Sequence, residues 1–259
     1  MSAASDAPLP ARWHSASELI GQSVAAIDTP ALVVDLDAME RNLAHMAAYA
    51  RAHGLRLRPH AKMHKSAELA RLQMAHGAVG VCVQKTDEAL VLARAGVTDI
   101  YISNEVIAPA KLQRLAQAVR TLPDTRFGIA VDSAAGVLRL AQALEAAGVG
   151  GQERMDVYVE VDVGQGRCGV PPGEPAVDLA RLIALHPVLR FAGLQAYHGR
   201  AQHLRDPGER AKAIGEAAEM IRRGDADKLE EWFTRTRAIR RSIIAEGQDD
   251  PAPDFGRKH

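Results

Sequence analysis

Short runs of β-branched and apolar residues alternate along the chain with longer Ala- and Leu-rich runs that carry charges on one side. This alternation is typical of β-α repeats built around a parallel sheet. One leading strand and helix, followed by about six β-α units, fit an incomplete TIM-type (β/α) barrel better than a doubly wound sheet, because a closed barrel needs eight units. The predicted strands span residues 31–36, 55–62, 79–84, 99–104, 126–132, 155–162 and 189–198.

Helix signals separate these strands. Asp37 is predicted as the N-cap of the first helix, and Pro109 suits the first turn of a helix over 109–121. The chain is predicted to be helical from about Pro207, with no further strand beyond it. We therefore predict three regions, which are an N-terminal extension over 1–27, a partial barrel over 28–215 and a helical tail over 216–259.

Charge and composition exclude several classes of protein. The 259 residues carry 32 basic and 32 acidic side chains, so no overall field favours nucleic acid or an anionic membrane. The opening residues lack the pattern of a signal peptide, and no run reaches the roughly 20 apolar residues of a membrane span. Cys82 and Cys168 are too few and too far apart for a disulfide framework, and neither lies in a paired zinc motif. We expect a cytoplasmic protein.

Polar residues collect where the predicted strands end. Because the carboxyl ends of parallel barrel strands surround one active-site mouth, this clustering favours a functional site there. For any single residue, capping of the next helix is an equally good interpretation. The residues are Arg58, His60, Lys62, His64, Gln84, Lys85, Asn104, Glu105, Glu160, Asp162, Tyr197 and His198.

Lys62 ends an apolar strand, where burial and neighbouring charges can free a lysine amine for Schiff-base chemistry. The residues alone favour an ordinary surface lysine. His60 and His64 stand four apart, but Pro59 and the strand pattern disfavour the helical geometry of a two-histidine metal site. A metal-dependent hydrolase that combines these histidines with Glu160 or Asp162 is a third, weakly supported alternative.

The segment 162–169 follows a strand and contains three glycines, so its backbone can approach a ligand while Arg167 supplies a forked donor. It contains GQGRCG, which matches a dinucleotide fingerprint. Such a fingerprint should open a helix directly, and the following sequence 170–173, VPPG, interrupts any helix. We therefore reject dinucleotide binding, and a structural turn remains an alternative. His198, like His203, is as compatible with loop hydrogen bonding as with a catalytic base.

Four segments in order, 58–73, 77–106, 159–170 and 189–206, closely resemble the D-threonine aldolase and D-serine dehydratase-like family. The resemblance covers residues 28–215 and implies a fold-type III pyridoxal-phosphate enzyme with an alanine-racemase-like barrel. It also implies that Lys62 forms the aldimine with the cofactor and that Arg167 lies near the cofactor's phenolic oxygen. The remaining residues that it places around the cofactor or in the pocket wall are His60, Gln84, Asn104, Tyr197 and His198.

The same resemblance implies a D-amino acid substrate with a 3-hydroxyl group. In an aldolase, a base such as His198 takes the hydroxyl proton and the Cα–Cβ bond breaks, giving glycine and an aldehyde. In a dehydratase, Lys62 takes the α-proton and the hydroxyl leaves. A divalent metal, Mn, Mg or Zn, is expected beside the cofactor in full-length members, and a homodimer is possible. The segment QAYHGRAQHLRD favours the aldolase.

The sequence also departs from this family. Full-length members continue with two more barrel strands, glycine-rich phosphate loops and a β domain that carries the metal ligands, and no such pattern follows residue 215. Residues 224–257 instead resemble the C-terminus of bacterial prephenate or cyclohexadienyl dehydrogenases. A non-catalytic truncated or fused remnant is therefore a further alternative to the lyase.

Overall fold

The computed structural model describes residues 16–150 and 154–222, so residues 223–259 of the predicted tail, including the segment 224–257, lie outside the described residues. The chain divides into two compact units at Met46. In the first unit, two short 3-10 turns span Ala16–Leu19 and Val24–Ala26. The hydroxyl of Ser23 caps the second turn by accepting a hydrogen bond from the Ala25 amide.

Helix α1, Leu36–Ala52, corrects two predictions for the start of the chain. Its first turn is capped by Asp35, whose Oδ1 accepts from the Ala38 amide at 2.9 Å, so the predicted N-cap at Asp37 is wrong. The predicted strand over 31–36 is also wrong, because residues 31–35 are irregular and Leu36 is already helical. Leu32 is 99% exposed, and an apolar run becomes a strand only where another strand can pair with it.

The second unit, from Ala47 onward, contains five parallel strands in sequence order. This partial α/β barrel confirms the predicted fold class. Four of the strands lie within their predicted segments and end one to three residues before the segments do. The first strand also begins two residues late, and the second ends one residue beyond its segment. They are β1 Val81–Val83, β2 Asp99–Glu105, β3 Arg126–Val131, β4 Met155–Glu160 and β5 Leu189–Gln195.

The segment 55–62, predicted as a further strand, is extended but forms only an isolated bridge between His60 and Cys82. The Cys82 amide donates to the Pro59 carbonyl at 2.8 Å, and the Ala61 amide donates to the Cys82 carbonyl at 2.7 Å. Pro59 has no amide hydrogen to donate, so a regular ladder is interrupted at this residue. The strand prediction is wrong in detail, yet the segment still lies beside β1.

Helices follow the strands as predicted. Ser66, Ser133 and Asp206 cap three of them through side-chain oxygens, and Pro109 occupies the first turn of another. After β5, a short 3-10 turn over Gly199–His203 precedes the last described helix. The helices are α2 Ala67–Ala75, α3 Thr86–Arg94, α4 Pro109–Thr121, α5 Ala134–Ala146, α6 Glu174–Ala184 and α7 Pro207–Ile221.

One hydrophobic core forms where the strands pack against the helices. Its largest fully buried side chains alternate along the strands and recur at helical spacing, as expected for a sheet covered by helices. They include Ile100, Ile102, Ile129, Leu112, Leu115, Leu140, Leu144 and Ile183. No helix in the described ranges is long and apolar enough to cross a membrane.

The other face of the sheet carries charged residues at the amino ends of the strands. Asp156 is only 1% exposed and accepts from Arg126 on β3 at 2.6 Å and from Arg190 on β5 at 2.5 Å. Asp99 accepts two hydrogen bonds from Arg58, at 2.7 and 3.0 Å. Because Arg126 also lies 3.8 Å from Asp99, these five residues form a ladder of alternating charge across the sheet.

We expect Asp156→Ala to lower the free energy of unfolding by about 2 kcal/mol, because two charge-assisted hydrogen bonds lose their shared acceptor. Urea unfolding followed by circular dichroism measures the change. Asp87→Ala is the matched control, because it removes an exposed partner of Arg114 and should cost less than about 0.5 kcal/mol. Equal effects of the two variants would contradict a structural role for the ladder.

Candidate active site

A chain of hydrogen bonds crosses the polar face of the sheet near the carboxyl ends of the strands. The hydroxyl of Tyr101 on β2 donates to Oε1 of Gln195 on β5. The Gln195 amide donates in turn to Oε2 of Glu160 on β4, at 2.5 Å. Residues on β2 and β5 meet although two strands separate them, so the sheet curves towards this face.

Glu160 is the most deeply buried carboxyl group at this end of the sheet, with 2% of its surface exposed. Its burial, followed by the neighbouring carboxyl of Glu105, raises the pKa of Glu160 to about 8. The guanidinium of Arg167 lies 3.8 Å from Glu160 Oε1 and opposes this shift. Arg167 also lies over the ring of Tyr197, with Cζ 5.2 Å from the ring centre, so it is held between β4 and the segment after β5.

The glycine-rich loop after β4 fixes the backbone around Arg167. Asp162 Oδ1 accepts from the amides of Gly164 and Gly166 at 3.0 Å each, and these bonds hold the pKa of Asp162 below its usual range. The Gly169 amide donates to Asp132 at the end of β3, at 3.2 Å. The loop is therefore tied to two strand ends, which agrees with a structural turn and leaves the Arg167 side chain half-exposed.

Gly169 has φ of +103°, and a Cβ atom there would lie 2.6 Å from the Asp162 amide nitrogen. We expect Gly169→Ala to displace the loop and to cost more than about 2 kcal/mol, since both strain and a backbone clash oppose it. Gly166→Ala is the matched control, with φ of +66° but no atom within 4 Å of the added carbon. It should cost only about 1 kcal/mol. Urea unfolding of both variants gives the comparison, and equal losses would contradict the clash.

Lys62 lies in a turn that follows the His60 bridge, where its side chain is exposed. The turn closes through the Lys65 amide, which donates to the Ala61 carbonyl at 2.8 Å. The Lys62 amide lies 3.3 Å from His60 Nδ1. Burial, followed by the positive charge of Lys62, lowers the pKa of His60, so a neutral imidazole is favoured beside the lysine.

Of the other predicted site residues, Gln84 lies beside His60, the neighbour of Lys62, and Asn104 lies on the next strand. Gln84, at the end of β1, faces His60 and partly opposes the fall in its pKa. Asn104 is half-buried near the end of β2. His60 Nε2 is 3.4 Å from the hydroxyl of Ser103 on the same strand. His60 and Gln84 thus lie together beside the lysine, and their roles towards a cofactor stay predictions.

His198 follows β5 and packs near the glycine-rich loop. A Cβ atom on Gly164 would lie 3.7 Å from His198 Cε1. His198 Nδ1 is buried and has no hydrogen-bond partner among residues 16–150 and 154–222, so a polar contact from a ligand is available to it. The Tyr197 hydroxyl accepts from the Gln202 amide at 3.3 Å. Arg167, Tyr197 and His198 are therefore neighbours at the β4 and β5 ends.

Within the described chain, one group brings three potential metal-ligand atoms within 4.8 Å of one another, namely Glu105, Asp132 and Cys168. Burial, followed by Glu105, raises the pKa of the Cys168 thiol, which disfavours the thiolate that binds metals. Asp132 already anchors the Gly169 amide. We assign this group to loop anchoring. The group contains neither His60 nor His64, so the predicted metal-dependent hydrolase gains no support from it.

The sequence interpretation named Glu105 only as a strand-end residue and Glu160 also as a candidate metal ligand, and it missed the interior role of Tyr101 and Gln195. A signal was present in β4, where Asp156, Tyr158 and Glu160 alternate with apolar residues. Alternate residues of a strand point to the same face, so polar residues at every second position indicate a polar barrel interior.

The fold agrees with the comparisons to known proteins. Residues 34–233 match the family model for the alanine racemase N-terminal domain. The chain belongs to that family. Among solved structures, D-threonine aldolase from Filomicrobium marinum superposes with a TM-score of 0.72 at 49% identity, over 76% of this chain and 51% of that one.

Curated family relatives show the same partial coverage. D-threonine aldolase from Arthrobacter sp. is 47% identical over 77% of this chain and 51% of its own length. For 3-hydroxy-D-aspartate aldolase from Paracoccus denitrificans the identity is 42%, over 82% and 53% respectively. D-threo-3-hydroxyaspartate dehydratase from Delftia sp. is 36% identical over 75% and 49%. This chain therefore spans about half the length of the curated relatives it matches.

Proposed function

We propose that this chain carries the lysine-bearing half of the active site of a pyridoxal-phosphate lyase that cleaves 3-hydroxy D-amino acids to glycine and an aldehyde. The observation that carries the proposal is the position of Lys62. It is an exposed amine at the carboxyl-end edge of a racemase-type barrel, next to a histidine whose pKa is lowered. Identity of 42–47% to two aldolases supports the retro-aldol reaction.

The side chains present fit part of such a cofactor. Lys62 offers a primary amine for an aldehyde, and Arg167 offers a half-exposed guanidinium for an acidic oxygen. His198 offers a buried nitrogen without a partner in the described chain. When bound, pyridoxal phosphate supplies an electron sink for the charge that develops at the substrate Cα.

The residues of this chain would then bind the cofactor and move the substrate proton. Lys62 would hold the cofactor at its aldehyde group, and the neutral His60 beside it keeps a second positive charge away from the amine. Arg167, held over Tyr197, would hold the cofactor's acidic ring oxygen. His198 is our candidate for the base that takes the proton of the substrate hydroxyl, because its ring lies beside the glycine-rich loop and its buried Nδ1 has no hydrogen-bond partner in the described chain.

Dehydration of a 3-hydroxy amino acid is the second candidate, since a dehydratase of the same family is 36% identical. The two reactions differ in the bond that breaks, which is Cα–Cβ in the aldolase and Cβ–O in the dehydratase. The higher identity to the aldolases favours the first. A divalent metal, which would act as a Lewis acid towards the substrate hydroxyl, is implied for either reaction, and we assign no group of the described residues to hold it.

We also propose a small-molecule D-amino acid as the partner, a homodimer as the assembly and the cytoplasm as the location. The first follows from the substrates named for the relatives. The absence of a membrane-spanning helix from the described residues is compatible with the third.

The test is to incubate the purified chain with pyridoxal phosphate, reduce it with borohydride and locate the modified lysine by peptide mass spectrometry. We expect the label on Lys62, its loss in Lys62→Arg and its retention in Lys65→Arg. Lys65 is a suitable control because it is an exposed lysine in the same turn. Product analysis with D-threonine then separates aldol cleavage, which gives glycine, from dehydration, which gives a keto acid.

A folded chain that carries no label on Lys62 would contradict the enzyme proposal. That result would favour the alternative of a non-catalytic remnant of the family. Label spread equally over Lys62 and Lys65 would mean that the amine reacts only as a surface lysine.

A further inference from the structure

Two carboxyl groups face each other at the ends of β2 and β4. Glu160 is buried, and its Oε2 already accepts the amide hydrogen of Gln195. Glu105 is half-buried, and its Oε1 is inaccessible to solvent and receives no donor from the residues that the structure describes. Glu105 is near enough to Glu160 to raise the pKa of Glu160 as a neighbouring carboxyl group and like charge. The two carboxyl groups are therefore neighbours at this end of the sheet, and the buried Glu105 Oε1 lacks a donor among the described residues.

Two ionised carboxylates in contact and out of water repel each other, and a buried acceptor without a donor costs free energy. One proton between Glu105 and Glu160 removes both difficulties, because a protonated carboxyl group donates to the oxygen that otherwise has no partner. The pair then keeps one negative charge. Arg167, whose Nη2 lies 3.8 Å from Glu160 Oε1, is the cation that this charge faces.

We propose that Glu105 and Glu160 share one proton and that the single negative charge of the pair positions the guanidinium of Arg167. Both glutamates are positioning residues that act through Arg167. This inference rests on the proposed function only for the identity of the ligand that Arg167 would bind. Every contact from which the inference is argued is between residues of the protein.

The other groups that face the pair do not replace Arg167 as its partner. Tyr101 on β2 is neutral because burial raises the pKa of its hydroxyl, and that hydroxyl donates to Gln195. Cys168 is a thiol whose pKa is raised by burial and by Glu105. Asp132, at the end of β3, bonds the Gly169 amide and adds negative charge, which further favours a proton on the pair.

The experiment compares Glu105→Gln, Glu160→Gln and the double variant in the chain without added cofactor. Glutamine mimics a protonated carboxyl group, so either single variant keeps one negative charge and the double variant keeps none. The readout is the rate at which phenylglyoxal modifies Arg167 at pH 7, followed by peptide mass spectrometry. Arg181, which pairs with Glu174 and Asp178 on α6, is the internal reference in the same digest.

We expect each single variant to stay within about twofold of the wild-type rate and the double variant to react about fivefold faster or more, a non-additive pattern typical of coupled groups. Asp87→Asn, which removes the partner of Arg114, is the control for loss of a carboxylate elsewhere and should leave the Arg167 rate unchanged. An unchanged rate in the folded double variant would overturn the positioning role. A single variant as reactive as the double one would overturn the shared proton.

A second measurement uses the wild-type chain, so it does not depend on whether the variants of Glu105 and Glu160 fold. Infrared spectroscopy of the wild-type chain at pH 7 should show the carbonyl band of a protonated carboxyl group, and the band should disappear as the pH rises past about 8. Glu160→Gln should lack the band, and Glu105→Gln should lose it at a lower pH than the wild-type chain, because Glu160 stays buried but no longer has Glu105 as a like charge. Absence of the band from the wild-type chain at pH 7 would contradict the proposal. Because no cofactor is present, neither result depends on whether Lys62 binds pyridoxal phosphate.

Discussion

The contact between Tyr101 on β2 and Gln195 on β5 is the constraint on which the geometry of the site depends. These residues are separated by two strands, so they meet only if the sheet curves, and the curvature places polar side chains on a shared interior. Gln195 then donates to Glu160, and Glu160 lies beside Arg167. Because an unpartnered polar group in this interior would cost free energy, the hydrogen bonds and the curvature support each other.

The two ends of the polar interior face of the sheet have different roles. At the amino ends of the strands, Asp156 lies between Arg126 and Arg190, where each charge is matched by an opposite neighbour. At the carboxyl ends, the charges are less completely matched, since His198 keeps a buried nitrogen without a partner in the described chain and Glu105 Oε1 has a donor only when Glu160 is protonated. This difference agrees with the general division of a TIM-type barrel into a stabilising face and a catalytic face. Groups that must bind a ligand cannot all be satisfied by the protein.

How far the sequence predicted the structure depended on whether a signal was local. Apolar periodicity located all five strands of the sheet and the helices that follow them, and Pro109 begins its helix as expected. The same reasoning was wrong for residues 31–36, because an apolar β-branched run does not specify whether a neighbouring strand exists. It was wrong in detail for residues 55–62, where Pro59 interrupts the ladder. The N-cap moved from Asp37 to Asp35 because either carboxylate suits the first turn and only the backbone path selects one.

The candidate site divides in the same way. The sequence by itself determined the family, through motifs whose residue types and order are unchanged by folding, and with it the expectation that Lys62, Arg167, Tyr197 and His198 serve one site. Only the tertiary structure decided that Glu105 and Glu160 are neighbours and that Tyr101 reaches Gln195. These residues are 55 and 94 positions apart in sequence, and their pairing depends on the curvature of the sheet. A shared proton is a property of distance and burial, which no single segment of the chain encodes.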